Sequence, residues 1–71
     1  MAYDTKYGDI EIEGIPTREP IFVLRAQDML AIHTLQVYKG LRESTGDNDA
    51  VRSLEGTIEQ FKNWKFKKVP D

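Results

Sequence analysis

Polar and apolar residues alternate strictly over Asp9-Ile10-Glu11-Ile12-Glu13, which places the isoleucines on one face and the acids on the other. That pattern predicts a half-exposed strand. Ile21-Phe22-Val23-Leu24 is instead a continuous apolar run of branched and aromatic residues, the pattern of a strand covered on both faces. Between them lies Gly14-Ile15-Pro16-Thr17-Arg18-Glu19-Pro20, whose glycine and prolines stop regular pairing and predict a loop. The two runs read as an antiparallel hairpin with a rather long connection. Pro20 can begin a strand but has no N–H to give a central ladder.

Helical periodicity takes over downstream. From about Asp28 to Ser44 good helix formers dominate, with Asp28 placed to accept from N–H groups of the first turn and Gly46 placed for a left-handed stop. At 100° per residue, Leu30, Thr34, Val37, Tyr38 and Leu41 form one stripe, and Met29, Ile32 and Leu35 form another. One stripe can face the sheet; the other needs a second partner. A further helix is predicted from about Asp49 to Phe66, where Val51, Leu54, Ile58 and Phe61 recur at spacings of three and four, the seam of helix-on-helix packing. Asp47, Asn48 or Asp49 can cap it. Gly56 lies roughly opposite the seam and either costs about 1 kcal/mol relative to alanine or permits close approach by another chain. The fold class is therefore α+β, a β-hairpin followed by two packed helices (ββαα), in a single domain over residues 1–71 with 1–8 and 67–71 as flexible ends.

Seventy-one residues bury only about 60% of the surface that the unfolded chain exposes, so a domain of this size usually needs a disulfide, a metal or an oligomer. The chain has no cysteine and one histidine, His33, which leaves assembly with itself as the expected stabiliser. No apolar run approaches the roughly 20 residues that span a bilayer, and Met1-Ala2-Tyr3-Asp4 lacks the layout of a secretion signal. A cytoplasmic location is expected. The net charge is −2, with Asp4, Asp9, Glu11 and Glu13 near the start and Lys62, Lys65, Lys67 and Lys68 near the end, so the two ends can pair within or between subunits.

The block Tyr7-Gly8, Gly14-Ile15-Pro16 and Glu19-Pro20-Ile21-Phe22-Val23-Leu24-Arg25-Ala26-Gln27-Asp28, with Leu35, Tyr38, Phe61 and Trp64, resembles small uncharacterised proteins of bacteria and their phages. By size and expected assembly these are similar to phage factors that counter host defence, including oligomers that sequester nucleotide signals. The resemblance implies such a role as an analogy of context and assigns no residues.

Catalytic patterns are poorly represented. His33 has no serine elbow to serve, the glycines form no phosphate loop, and the acids Glu11 and Glu13 read as a solvated strand face rather than an acid pair. We therefore expect no enzyme, no cofactor and no metal site. The expected function is that of a non-enzymatic oligomeric binding protein for a small anionic, nucleotide-like ligand, the alternative being a protein–protein adaptor or inhibitor of a host protein. Arg18, Arg25, Lys39 and Arg42 are the candidate anion contacts, and Tyr7, Tyr38 and Trp64 the candidate stacking surfaces. For Arg25 the structural role is the favoured one, a pair with Asp28 that pins the turn into the helix or a salt bridge between subunits, because Asp28 would repel an anion from that helix start. The tail from Phe61 to Lys68 interleaves lysines and aromatics as single-strand nucleic-acid binders do, but Phe61 belongs to the seam, Trp64 can close the core and the net charge is negative. Nucleic acid is not the expected partner.

Overall fold

A computed structural model describes residues 2–69. It shows a two-stranded antiparallel hairpin, β1 (Ala2–Asp4) and β2 (Gly8–Ile10), followed by two helices packed on each other, α1 (Ala31–Ser44) and α2 (Asn48–Asn63). The ββαα order is the expected one, but the strands lie elsewhere. Asp9 and Ile10 do pair, with Tyr3 and Ala2, whereas residues 11–13 leave the sheet into a turn closed by the Ile15 N–H on the Ile12 carbonyl (3.1 Å). The hairpin partner is not Ile21–Leu24 but residues 2–4, within the stretch expected to be a flexible end. Of the two ends so expected, Met1, Pro70 and Asp71 lie outside the described residues.

The run Ile21–Leu24 lies beside β1 without becoming a strand. Glu19 accepts from the Tyr3 N–H (2.9 Å) and Tyr3 accepts from the Ile21 N–H (2.8 Å), giving a single parallel bridge between Tyr3 and Pro20. The ladder then stops for a definable reason: the next donor along the run, Val23 N–H, goes to the Asp4 side chain (3.0 Å) instead of a backbone carbonyl. Cover on both faces is also absent. Ile21, Val23 and Leu24 are half-buried while Phe22 is 83% exposed.

The helices begin and end by local chemistry. Asp28 accepts from the Leu30 N–H (2.7 Å), as a first-turn acceptor would, but it does so in a turn that precedes the helix; α1 itself starts at Ala31 with no side-chain cap. Gly46, with φ of 79°, reverses the chain after α1, a left-handed position that glycine takes at no steric cost. Of the three candidate caps, Asp47 is the N-cap of α2, accepting from the Ala50 N–H at 3.0 Å. α2 ends at Asn63, three residues before the expected Phe66, and residues 64–69 fold back along the approach to α1. There Lys68 donates its N–H to Gln27 (2.7 Å) and accepts from the Met29 N–H (3.1 Å), so part of the expected flexible end is a bridged segment.

Val51, Leu54, Ile58 and Phe61 are all withdrawn from solvent, Ile58 to 5% exposure, as a seam against α1 requires. On α1 the withdrawn residues are Ala31, Ile32, Leu35, Lys39 and Arg42. Neither stripe of α1 faces the hairpin, because among the described residues neither helix packs on a strand. Trp64 does not close the core; it is half exposed and meets Phe66 edge to face at 5.9 Å. No helix among the described residues is long and apolar enough to cross a membrane.

Two substitutions test this packing by chemical denaturation. Ile58→Ala removes a buried branched side chain from the helix seam and should lower unfolding free energy by roughly 2–5 kcal/mol. Gly56→Ala should raise it by about 0.5–1 kcal/mol, because Gly56 is helical and nothing lies within 4 Å of the position a Cβ would take. A seam read wrongly would leave Ile58→Ala at wild-type stability.

Candidate functional site

The geometry of the candidate site starts from one carboxylate. Asp4 ends β1, is 3% exposed, and accepts three backbone N–H groups: Lys6 (2.8 Å) and Tyr7 (2.9 Å) on one oxygen, Val23 (3.0 Å) on the other. The first two make an Asx-type turn that carries the chain from β1 to β2, with Gly8 at φ of 80° completing the reversal. The third ties that turn to the Ile21–Leu24 segment. These donors hold the Asp4 carboxyl below its ordinary pKa, the Tyr7 N–H contributing most, against a desolvation that pushes it up.

Clamping the turn against residues 21–24 opens a cleft of about 220 Å³ between them. Tyr7 and Phe22 supply its rings, Lys6, Arg25 and Lys68 its cations, and Asp28 a carboxylate already accepting from Leu30. The Arg25 guanidinium reaches the Tyr7 hydroxyl at 3.4 Å and does not pair with Asp28, so the Arg25–Asp28 ion pair favoured from the sequence is not formed. Asp28 is linked to Arg25 through the backbone instead, its N–H donating to the Arg25 carbonyl at 3.0 Å. Lys68 arrives from the far end of the chain through its backbone pairing with Gln27 and Met29. Lys6 lies over the Tyr7 ring at 5.7 Å.

Of the seven residues singled out from the sequence, the cleft unites only Tyr7 and Arg25. Arg18 sits across the hairpin in a left-handed conformation (φ 65°), stacked on Tyr3 at 4.8 Å and paired with Asp9 at 3.5 Å. Lys39 pairs with Glu43 (3.9 Å) and across to Glu55 of α2 (3.7 Å). It lines a shallow depression of about 330 Å³ with Lys62, Glu55 and Glu59. Opposing charges there balance, so the larger volume offers an anion no net attraction. Arg42 binds Asp47 at 2.5 Å, and its guanidinium is raised above its ordinary pKa by Tyr38 first and by Asp47 second. Asp47 is lowered in turn, chiefly by the Ala50 N–H and then by Arg42. Lys39 and Arg42 are thus engaged in joining the helices, and Tyr38 bonds to Arg42 on its own helix. Trp64 does not line the cleft.

Asp4, Lys6, Phe22 and Lys68 were not singled out. A signal for Asp4 was present, since an aspartate two and three residues before backbone donors and four before a glycine is the pattern of an Asx turn; nothing local announces its reach to Val23. No family model, no curated protein and no solved structure matches this chain. Among the described residues, no group of three or more histidine, cysteine, aspartate or glutamate side chains is placed to hold a metal ion.

The clamp makes stability depend on acid in a definite direction. Because the folded Asp4 value lies below the unfolded one, its contribution is fully present above the unfolded aspartate value of about 3.9 and is lost as pH falls through the lower folded value. Asp4→Asn keeps one acceptor oxygen and replaces the other by a donor, so it should lower Tm at pH 7 and flatten this acid limb. Melting curves from pH 7 to pH 2 on both proteins check it; coincident curves would mean that Asp4 clamps nothing.

Proposed function

We propose that the protein is a non-enzymatic binding protein whose Tyr7–Arg25 cleft holds a small anion carrying a planar ring, a mononucleotide-like ligand, in the cytoplasm. One observation supports the reading most: three cations, Lys6, Arg25 and Lys68, line one cleft with Tyr7 and Phe22 against two carboxylates, Asp4, which accepts three backbone N–H groups, and Asp28, which accepts the Leu30 N–H. A guanidinium forks onto an anionic group, and an exposed ring stacks on a base. Size narrows the ligand. Sites that enclose drug-sized molecules occupy roughly 300–1,000 Å³, so a cleft of about 220 Å³ suits one charged group and one ring better than a dinucleotide. Such a protein sequesters its ligand and releases it unchanged, the role that the likeness to phage anti-defence factors implies.

Calorimetry against a panel of linear and cyclic mononucleotides and cyclic dinucleotides tests this. Mononucleotides should bind and raise Tm, since a ligand that binds only the folded state stabilises it. Arg25→Ala should weaken binding about 10–100-fold, the worth of one charge-assisted hydrogen bond, while Arg52→Ala, on the exposed face of α2 and paired with Asp49, should not. Chromatography of ligand incubated with the protein, with and without magnesium, should return it intact. Silence across the panel would favour the adaptor reading, and protein-dependent conversion would make the protein an enzyme.

A further inference from the structure

The segment that follows α2 grips one turn. Residues 25–28 form that turn, closed by the Asp28 N–H on the Arg25 carbonyl (3.0 Å), and its next two carbonyls both accept from the returning segment. Ala26 accepts from the Lys67 ammonium (2.7 Å) and Gln27 from the Lys68 N–H (2.7 Å), while the Met29 N–H donates back to the Lys68 carbonyl (3.1 Å). The Lys67 ammonium also donates to the Phe61 carbonyl in the last turn of α2, beside the Trp64 N–H (3.3 Å). A cation there meets the negative end of the helix dipole. An ammonium carries three donors, so one nitrogen can serve carbonyls on two different elements.

We infer that Lys67 is a positioning residue of the Tyr7–Arg25 cleft, a pin that fixes its Arg25–Asp28 wall and Lys68 to the end of α2. Arg25, Gln27, Asp28 and Lys68 belong to the two segments that Lys67 joins, and all four line the cleft, while Lys67 itself lies outside the lining. The Asp4 clamp fixes the opposite wall through the Lys6, Tyr7 and Val23 N–H groups. The reach of Arg25 to the Tyr7 hydroxyl, 3.4 Å, spans the two walls. It therefore depends on both holds. The role of Lys67 toward a ligand rests on the reading of this cleft as a binding site; its hold on the turn does not.

Amide exchange followed by NMR on the full chain separates a pin from a general stabiliser. Lys67 is exposed, so Lys67→Met keeps an unbranched stem, removes the donors and leaves the fold in place. The Asp28, Met29 and Lys68 amides should then exchange about 10–100-fold faster, the worth of one charge-assisted hydrogen bond, with Val23 and Ile58 at wild-type rates. Lys67→Arg should restore most of the protection. Adenosine monophosphate should bind Lys67→Met about 10-fold more weakly than wild type, because the competent wall is then populated only in part, and Lys67→Arg nearly as well as wild type. Wild-type exchange at Asp28 and Met29 in Lys67→Met overturns the pin, and so does an equal release of Ile58, which would make Lys67 a general stabiliser. Undiminished nucleotide binding by Lys67→Met overturns the positioning role with the ligand reading intact. A wild-type protein that ignores the nucleotide, while Lys67→Met releases Asp28 and Met29, leaves the pin standing and sinks the ligand reading.

Discussion

Everything that gives this small protein a site depends on the carboxylate of Asp4. A three-residue strand beside another three-residue strand is marginal by itself, and among the described residues neither helix packs on it. What fixes the hairpin is a side chain that terminates β1, folds the turn through the Lys6 and Tyr7 N–H groups, and takes the Val23 N–H from across the chain. The same bond that ends the ladder along Ile21–Leu24 holds Tyr7 close to Arg25. The carboxylate tolerates burial because each oxygen is satisfied by donors already in place.

The other half of the molecule is held by a different device. The α1–α2 pair combines an apolar seam, centred on Ile58, with ion pairs that cross from Lys39 to Glu55 and from Arg42 to Asp47. Asp47 serves twice, capping α2 with one oxygen and binding Arg42 with the other. Ala31, Ile32 and Leu35 of α1 share this inner side with its two cations, while Leu30, Val37 and Leu41 remain exposed. The described chain accordingly has few buried apolar side chains, namely Ala2, Ala31 and Ile58. Among the described residues the two halves are linked through connecting segments, the approach to α1 and the returning stretch around Lys68.

How much of this could be read from the residues alone follows from the range of each interaction. The helices were legible because their determinants are local: the three-and-four spacing of Val51, Leu54, Ile58 and Phe61, the Asp47 cap and the Gly46 stop all act within a few residues. The strands were not. Ala2-Tyr3-Asp4 is too short to show a period, and alternation over Asp9–Glu13 outlasted the two of its residues that pair. Ile21–Leu24 looked like a buried strand because hydrophobicity cannot show that its Val23 donor is claimed by a side chain nineteen residues away. In the cleft, Arg25 and Tyr7 carried visible chemistry, but their meeting and the arrival of Lys68 depend on contacts between distant parts of the chain. Arg18, Lys39 and Arg42 offered the same charge and were taken up by Asp9, Glu55 and Asp47.

The clamp can be observed directly in the native protein by amide hydrogen exchange. If Asp4 holds the turn to the following segment, the Val23 and Tyr7 N–H groups should be protected to the same degree as the Ile21 N–H in the ladder, and Asp4→Ala should release Val23 and Tyr7 together while leaving amides in the middle of α2 unchanged. Exchange of the Val23 amide at the rate of a free loop in the wild-type protein, with Ile21 still protected, would contradict the central role given to Asp4.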